Sequence, residues 1–338
     1  MIRRIFALIP LPLAFALRAF AANHPDWMER HFASGIYPAV AEFISHVSNV
    51  FPFPLIEICL VFAVFFMVLL LIQKKFFLVF TSLCLCAALI LGGWSLNYFR
   101  LPLEKTLGLT VRASSVSELI SLSEKLAEDA NIRYVRIVEN NLEEANNALN
   151  AASNQYPIPY GTYGTPKIAL ASPVLSKFLV EGITSPLTLE ALVNGDIPKA
   201  SIPFVACHEA AHVRGFAREE DANLIAFLAC ESSGNAMYRY SGSLNALMYT
   251  LSALGSADAE AYQRIYATIS PDVRADFAAD AAFWEPFREK TAAKVGTQVN
   301  EAYLQTIAAG DQSVRSYGRL VDLLLALNRI EEEETATR

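Results

Sequence analysis

Two apolar runs constrain this chain more than any other feature. Leu55 to Ile72 carries one charged residue, Glu57, and Phe76 to Leu96 carries none. Each approaches the roughly 20 residues that a helix needs to cross a bilayer. In lipid such a segment must satisfy its own backbone hydrogen bonds, so both runs are expected to be helices. Only Gln73-Lys74-Lys75 separates them, room for a tight turn, which makes 55–96 a transmembrane helical hairpin of spans 55–72 and 76–96. Composition agrees: 54 % of the 338 residues are hydrophobic and 18 % charged, a balance displaced from soluble proteins toward membrane residence.

The charges around the hairpin predict its topology. Met1-Ile2-Arg3-Arg4, the apolar Ile5 to Leu17 and Ala19-Phe20-Ala21 have the three parts of a signal peptide. Pro10, Pro12 and Arg18 interrupt that pattern, so 1–21 also reads as a first, imperfect transmembrane helix. In both cases the positive-inside rule puts Arg3, Arg4, Lys74 and Lys75 in the cytoplasm, with the extracytoplasmic segment 22–54 and everything after Leu96 outside. The expected localisation is the cell membrane, multi-pass, with the large C-terminal part extracytoplasmic. Segment 22–54 is rich in aromatics, among them Trp27, Tyr37 and Phe43, and is expected against the membrane face or on the C-terminal part. Trp94, Tyr98 and Phe99 form an interfacial belt before Arg100. The net charge of −7 argues against nucleic acid as a partner, leaving the lipid bilayer and a polypeptide.

From Leu101 the composition becomes globular, and 101–338, about 240 residues, is long enough to bury its own core. Ser115-Val116-Ser117-Glu118 is a capping box opening a helix through about Ala130. Arg133 to Val138 alternates like a short strand, and Lys167–Ala171, Val180–Ile183 and Leu187–Leu189 could pair into a small sheet. Its edge could hold an extended substrate by strand addition or be purely structural. After Asn223, apolar residues recur at helical spacing over 224–230, 241–254, 258–269, 273–294, 299–308 and 314–327. The expected fold is mainly α with a small β-sheet.

The chemistry concentrates in Cys207-His208-Glu209-Ala210-Ala211-His212. Residues four apart on a helix lie about 40° apart around its axis, so His208 and His212 offer two imidazoles to one metal ion. Glu209 holds the general-base position, from which a zinc hydrolase reaches its water. Every other histidine, His24, His31 and His46, precedes the hairpin, so a third ligand within the domain must be a carboxylate or cysteine. Arg218 stands where a three-histidine pattern would place its last ligand, and beyond it Glu219, Glu220 and Asp221 are all candidates. Glu219 is favoured because Asn223, four residues on, could buttress a ligating histidine through a hydrogen bond. Tyr240 is the choice for oxyanion donor, with Tyr238, Arg239, Tyr303, Arg315 and Tyr317 as alternatives. Cys59, Cys84 and Cys86 lie in apolar spans, and Cys207 with Cys230 could be either a disulfide or two buried thiols.

These motifs, with Gly215-Phe216-Ala217-Arg218-Glu219, Arg239-Tyr240-Ser241-Gly242, Gly35-Ile36-Tyr37-Pro38, Asn97-Tyr98-Phe99-Arg100 and Ser316-Tyr317-Gly318-Arg319, resemble a bacterial membrane family known as domain of unknown function 3810. The site is also similar to that of glutamate-ligand zincins, in which Glu-x-x-x-Asp supplies the third ligand and its buttress. Here Asn223 replaces the Asp, and Glu219 follows His212 more closely than in prenyl-protease relatives of that class. The resemblance implies a membrane-anchored protein of the zincin-like class with no substrate assigned; with the motif it makes a metallopeptidase binding Zn2+ the expectation, its partner a peptide or protein substrate, membrane and envelope proteins among the candidates. A non-catalytic zinc-stabilised envelope sensor or scaffold is the alternative.

Overall fold

The computed structural model describes residues 9–139, 141–288, 290, 294, 298 and 316–336. It is mainly helical with one three-stranded sheet. Helix α1 (Pro10–Asn23) leads through a turn at Pro25–Trp27 into a π-helical stretch, Met28–Ile36, and on into α2 (Tyr37–Asn49). The two apolar runs form α3 (Leu55–Ile72) and α4 (Phe76–Gly92), both long and apolar enough to cross a membrane. At 1.5 Å per residue the 18 residues of α3 span about 27 Å, and none of them is buried against protein. Helix α1 packs along α4, where Gly92 leaves room for the Ala14 methyl group; a Cβ at Gly92 would lie 3.2 Å from it.

Beyond α4 come a 3₁₀ turn at Trp94–Phe99 and a single helical turn at Leu103–Thr106, then α5 (Val116–Arg133) and α6 (Glu144–Ala152). The capping box is made as expected, Ser115 accepting from the Glu118 N–H and Glu118 from the Ser115 N–H. The strand expected over 133–138 does not form: α5 runs through Arg133 and the chain beyond is unpaired. The sheet contains β1 (Lys167–Ile168), β2 (Gly182–Thr184) and β3 (Ala191–Val193) in the order β1-β3-β2, with helix α7 (Ser172–Lys177) between the first two. The third strand is therefore 191–193 and not Leu187–Leu189, since Leu189 sits at φ +48, outside the extended region.

The remaining elements are α8 (Ile202–Val213), α9 (Glu219–Ser232), α10 (Ala236–Ala257), α11 (Ala259–Thr268), α12 (Pro271–Arg288) and α13 (Ser316–Ala336). The helix expected over 299–308 lies outside the described residues. Small residues let α8, α9 and α10 approach closely; a Cβ at Gly242 of α10 would fall 2.5 Å from Cys230 Cβ on α9. Together with α5, α6 and α13 they enclose one continuous core, with α8 at its centre.

The start of the hairpin is tied to the sheet region. Glu190 accepts hydrogen bonds from the N–H groups of Leu55 and Ile56, at 2.8 Å each, and pairs with Lys167 at 2.7 Å. Glu57, in the first turn of α3, accepts from the N–H groups of Leu170 and Ala171. The lone acid of the first apolar run thus serves the backbone of the globular part.

A candidate metal centre between α8 and α9

Helix α8 starts at Ser201, with Pro203 in its first turn, where a missing N–H costs nothing. One turn apart, His208 and His212 turn their rings together, centroids 4.6 Å apart and planes at 89°. The helix stops at Gly215, whose φ of +92 is strained for any residue with a Cβ. A Cβ there would also approach the Tyr37 ring to 2.9 Å. The reversal brings the start of α9 against the imidazoles.

Of the three acids that open α9, only Glu219 meets the histidines. Its carboxylate oxygens lie 3.3 Å from His208 Nε2 and 3.6 Å from His212 Nε2. Asp221 is occupied elsewhere, accepting from Arg218 and from the Leu103 N–H. Arg218, the residue that breaks the three-histidine pattern, also donates to the carbonyls of Tyr98 and Arg100, locking the turn into α9. Among the described residues, His208, His212 and Glu219 form a cluster whose ligand atoms all lie within 4.8 Å of one another.

Its electrostatics are those of an anion between two imidazoles. Burial opposes the charged form of His212, but the Glu219 carboxylate, the Glu209 charge and the Phe216 carbonyl outweigh it and raise the imidazole to about 9. Crowded surroundings likewise oppose ionisation of Glu219, although its side chain is 40 % open to solvent; the two histidines prevail and hold it well below the usual carboxylate range. Glu209 is different. Its burial wins over the nearby histidines and the Thr184 hydroxyl, and its proton affinity is raised.

Glu209 is placed by residues the sequence did not single out. Thr184 Oγ1 lies 2.8 Å from Glu209 Oε2. Gly182 presses against the same carboxylate, since a Cβ there would fall 2.5 Å from Oε1. Both belong to β2, and nothing in the local sequence marks them, because the contact is made across 25 residues and more of chain. The far end of α8 is held by the membrane-proximal segments: Trp94 Nε1 donates to the His212 carbonyl at 3.0 Å, Tyr37 Oη to that of Val213 at 2.9 Å, and Arg100 to that of Gly215 at 3.1 Å. Carbonyls at a helix terminus lack intrahelical partners; here the Gly215 N–H serves that of His212, and the added donors come from outside the globular part.

Two expected roles are not realised. Asn223 is buried on α9 but buttresses neither histidine: His212 Nδ1 is bonded to the Phe216 carbonyl at 2.7 Å, and His208 Nδ1 is buried without a partner among the described residues. Tyr240 donates to Asp276 on α12 and stacks edge-on against Tyr134, so its hydroxyl proton is engaged there and not at the histidines. Tyr238 donates to the Asn141 carbonyl and Arg239 to that of Ser233. Tyr303 and Arg315 lie outside the described residues, and Tyr317 stands in the first turn of α13. Cys207 and Cys230 are free, buried thiols between α8 and α9, not a disulfide.

Neither the curated proteins nor the solved structures yield a match to this chain. The model of one family, described as Protein of unknown function (DUF3810), matches residues 32–325, a stretch that takes in the hairpin, the sheet and both helices of the metal centre, and the chain belongs to that family.

Proposed function

We propose that this protein is a membrane-anchored, zincin-like zinc peptidase that uses His208, His212 and Glu219 as ligands and Glu209 as general base. The observation that carries the reading is the geometry of the cluster. A tetrahedral zinc with ligands at about 2.0–2.2 Å needs them roughly 3.3–3.6 Å apart; one Glu219 oxygen stands 3.3 Å from His208 Nε2, the other 3.6 Å from His212 Nε2, and one ligand atom from each of the three residues lies within 4.8 Å of the others, so small side-chain rotations bring the set to that spacing. Two imidazoles and one carboxylate are the donor set of a catalytic site, three protein ligands with a position left over. Zinc held there supplies Lewis acidity toward a peptide carbonyl and toward water.

The chain's own residues do the rest. Glu209, buried and of raised proton affinity, accepts the proton of the attacking water and returns it to the leaving amine. Thr184 and Gly182 keep its carboxylate from swinging away. Strand β2 stands at the edge of the sheet, so an extended peptide can add beside it with its backbone next to Glu209. The substrate class is a polypeptide of the membrane or envelope. Arg3, Arg4 and the Lys74-Lys75 turn argue for a multi-pass protein whose catalytic part faces outward.

The test is elemental analysis of the purified full chain and of Glu209→Gln, with hydrolysis of a peptide library. Both forms should carry zinc at equal stoichiometry, and the variant should lose activity by about 10²–10⁴-fold. Zinc in both with hydrolysis by neither would favour a structural zinc scaffold; protein purified without zinc would refute both readings.

A further inference from the structure

Helix α2 shows an apolar face that nothing in the chain covers. Ile36, Val40, Phe43, Val47 and Val50 recur at steps of four and three residues, one stripe of a helix. They are 63, 45, 70, 47 and 74 % exposed. Phe51 and Phe53 extend the stripe toward α3, and no residue of α2 on the exposed side is charged; His46 and Asn49 are its only polar members. The opposite face is buried and polar, and it is bonded to the globular part. Tyr37 holds the Val213 carbonyl, Glu42 accepts from the Thr162 N–H and Ser45 from that of Gly164; the exposed Asn49 also accepts from the Thr165 N–H.

We infer that α2 lies in the interfacial layer of the bilayer, its apolar stripe in the acyl boundary and its polar face carrying the metal centre. Interfacial helices have this division of faces, except that here protein takes the place of water on the polar side. The occupant is lipid because the stripe is continuous with a span: Val50 to Pro54 lead directly into α3, whose first N–H groups are held by Glu190 of the same globular part. An apolar ridge of this size exposed to water would be an aggregation liability. Since Tyr37 on the inner face touches the end of α8, the metal centre stands about one helix diameter, ~10 Å, above the lipid. Its substrates would then be polypeptide segments presented at the bilayer surface. The inference rests on the reading of α3 and α4 as membrane spans, and deepens the peptidase proposal without needing it.

The experiment is site-specific photocrosslinking of the full chain in vesicles of phosphatidylethanolamine and phosphatidylglycerol. A benzophenone amino acid replaces, one at a time, Phe43 and Val47 on the stripe, Phe62 in the middle of α3, and the exposed Ile132 of α5 as the aqueous reference. Lipid adducts at 43 and 47 comparable to those at 62, and several-fold above 132, are expected. Adducts at 62 with only the reference level at 43 and 47 would overturn the inference while leaving the spans intact, as would adducts at 43 and 47 to a second copy of the chain. No lipid adduct at 62 would overturn the span reading and the inference with it. None of these outcomes depends on zinc or on hydrolysis.

Discussion

At Gly182 a methyl group would stand 2.5 Å from Glu209 Oε1 and 2.6 Å from its Cγ, distances at which one of the two must move. The backbone there is strand, so alanine is conformationally acceptable and the entire cost falls on Glu209. Gly182→Ala is therefore expected to leave zinc content unchanged and lower peptide hydrolysis by about 100-fold, the penalty of a misplacement on the order of 1 Å. Loss of zinc in this variant would mean that the carboxylate also supports the ligands. The pairing of His208 with His212 and the place of Glu209 were legible in sequence because helical periodicity by itself brings residues four apart to one side. Glu219 was favoured in sequence over Glu220 and Asp221 through the expected help of Asn223; in the structure it does meet the histidines, while Arg218 and the Leu103 N–H claim Asp221. The buttress expected of Asn223 failed for a comparable reason: the Phe216 carbonyl, brought back by the turn at Gly215, reached His212 Nδ1 first.

Helices α5 and α13 are joined by Lys125, which bonds Asn328 and Glu331, and by the carboxylate of Glu118. Glu118 accepts from the Ser115 N–H at 2.7 Å and from Arg329 Nε at 2.7 Å, and these bonds, the Ser115 backbone first, hold it down to about 2. A carboxyl whose folded value lies below its ordinary 4.5 contributes stability above that value and loses it as pH falls toward 2. Unfolding of the full chain in detergent should weaken across that window, and Glu118→Gln should flatten the acid limb while costing stability at neutral pH. An unchanged acid limb would remove Glu118 from the account. The capping box was readable because it is local. The Arg329 contact spans 211 residues, and no periodicity announces it.

For the molecule as a whole, the division of the chain at residue 101 is where sequence and structure part. Composition turns globular at Leu101, which suggests a part able to fold alone. Yet the last carbonyls of α8 are bonded by Tyr37, Trp94 and Arg100, and Arg100 is in turn paired with Glu29 at 2.7 Å. A fragment of 101–338 would lose these donors: the Val213 and Gly215 carbonyls would turn to water, and the His212 carbonyl would keep only the Gly215 N–H. Such a fragment is expected to bind zinc weakly or aggregate, while Trp94→Phe in the full chain, which removes one N–H and keeps the ring, should lower stability by about 0.5–1.5 kcal/mol, the ordinary worth of one hydrogen bond. A fragment with full zinc affinity would show that the membrane-proximal caps are dispensable.

What depends on neighbours along the chain could be read before folding: two long apolar helices, a mainly helical composition, the capping box, and two imidazoles with a glutamate on one turn of helix. Hydrophobicity and helical period are one-dimensional properties, and one dimension suffices to read them. Packing settled that Glu219 is the acid that faces those imidazoles, that β2 braces Glu209, and that Tyr240 answers to Asp276 and not to the His208–His212–Glu219 cluster. Each of these is a competition among polar groups for partners distant in sequence, settled by which atoms the packed helices bring within hydrogen-bond reach.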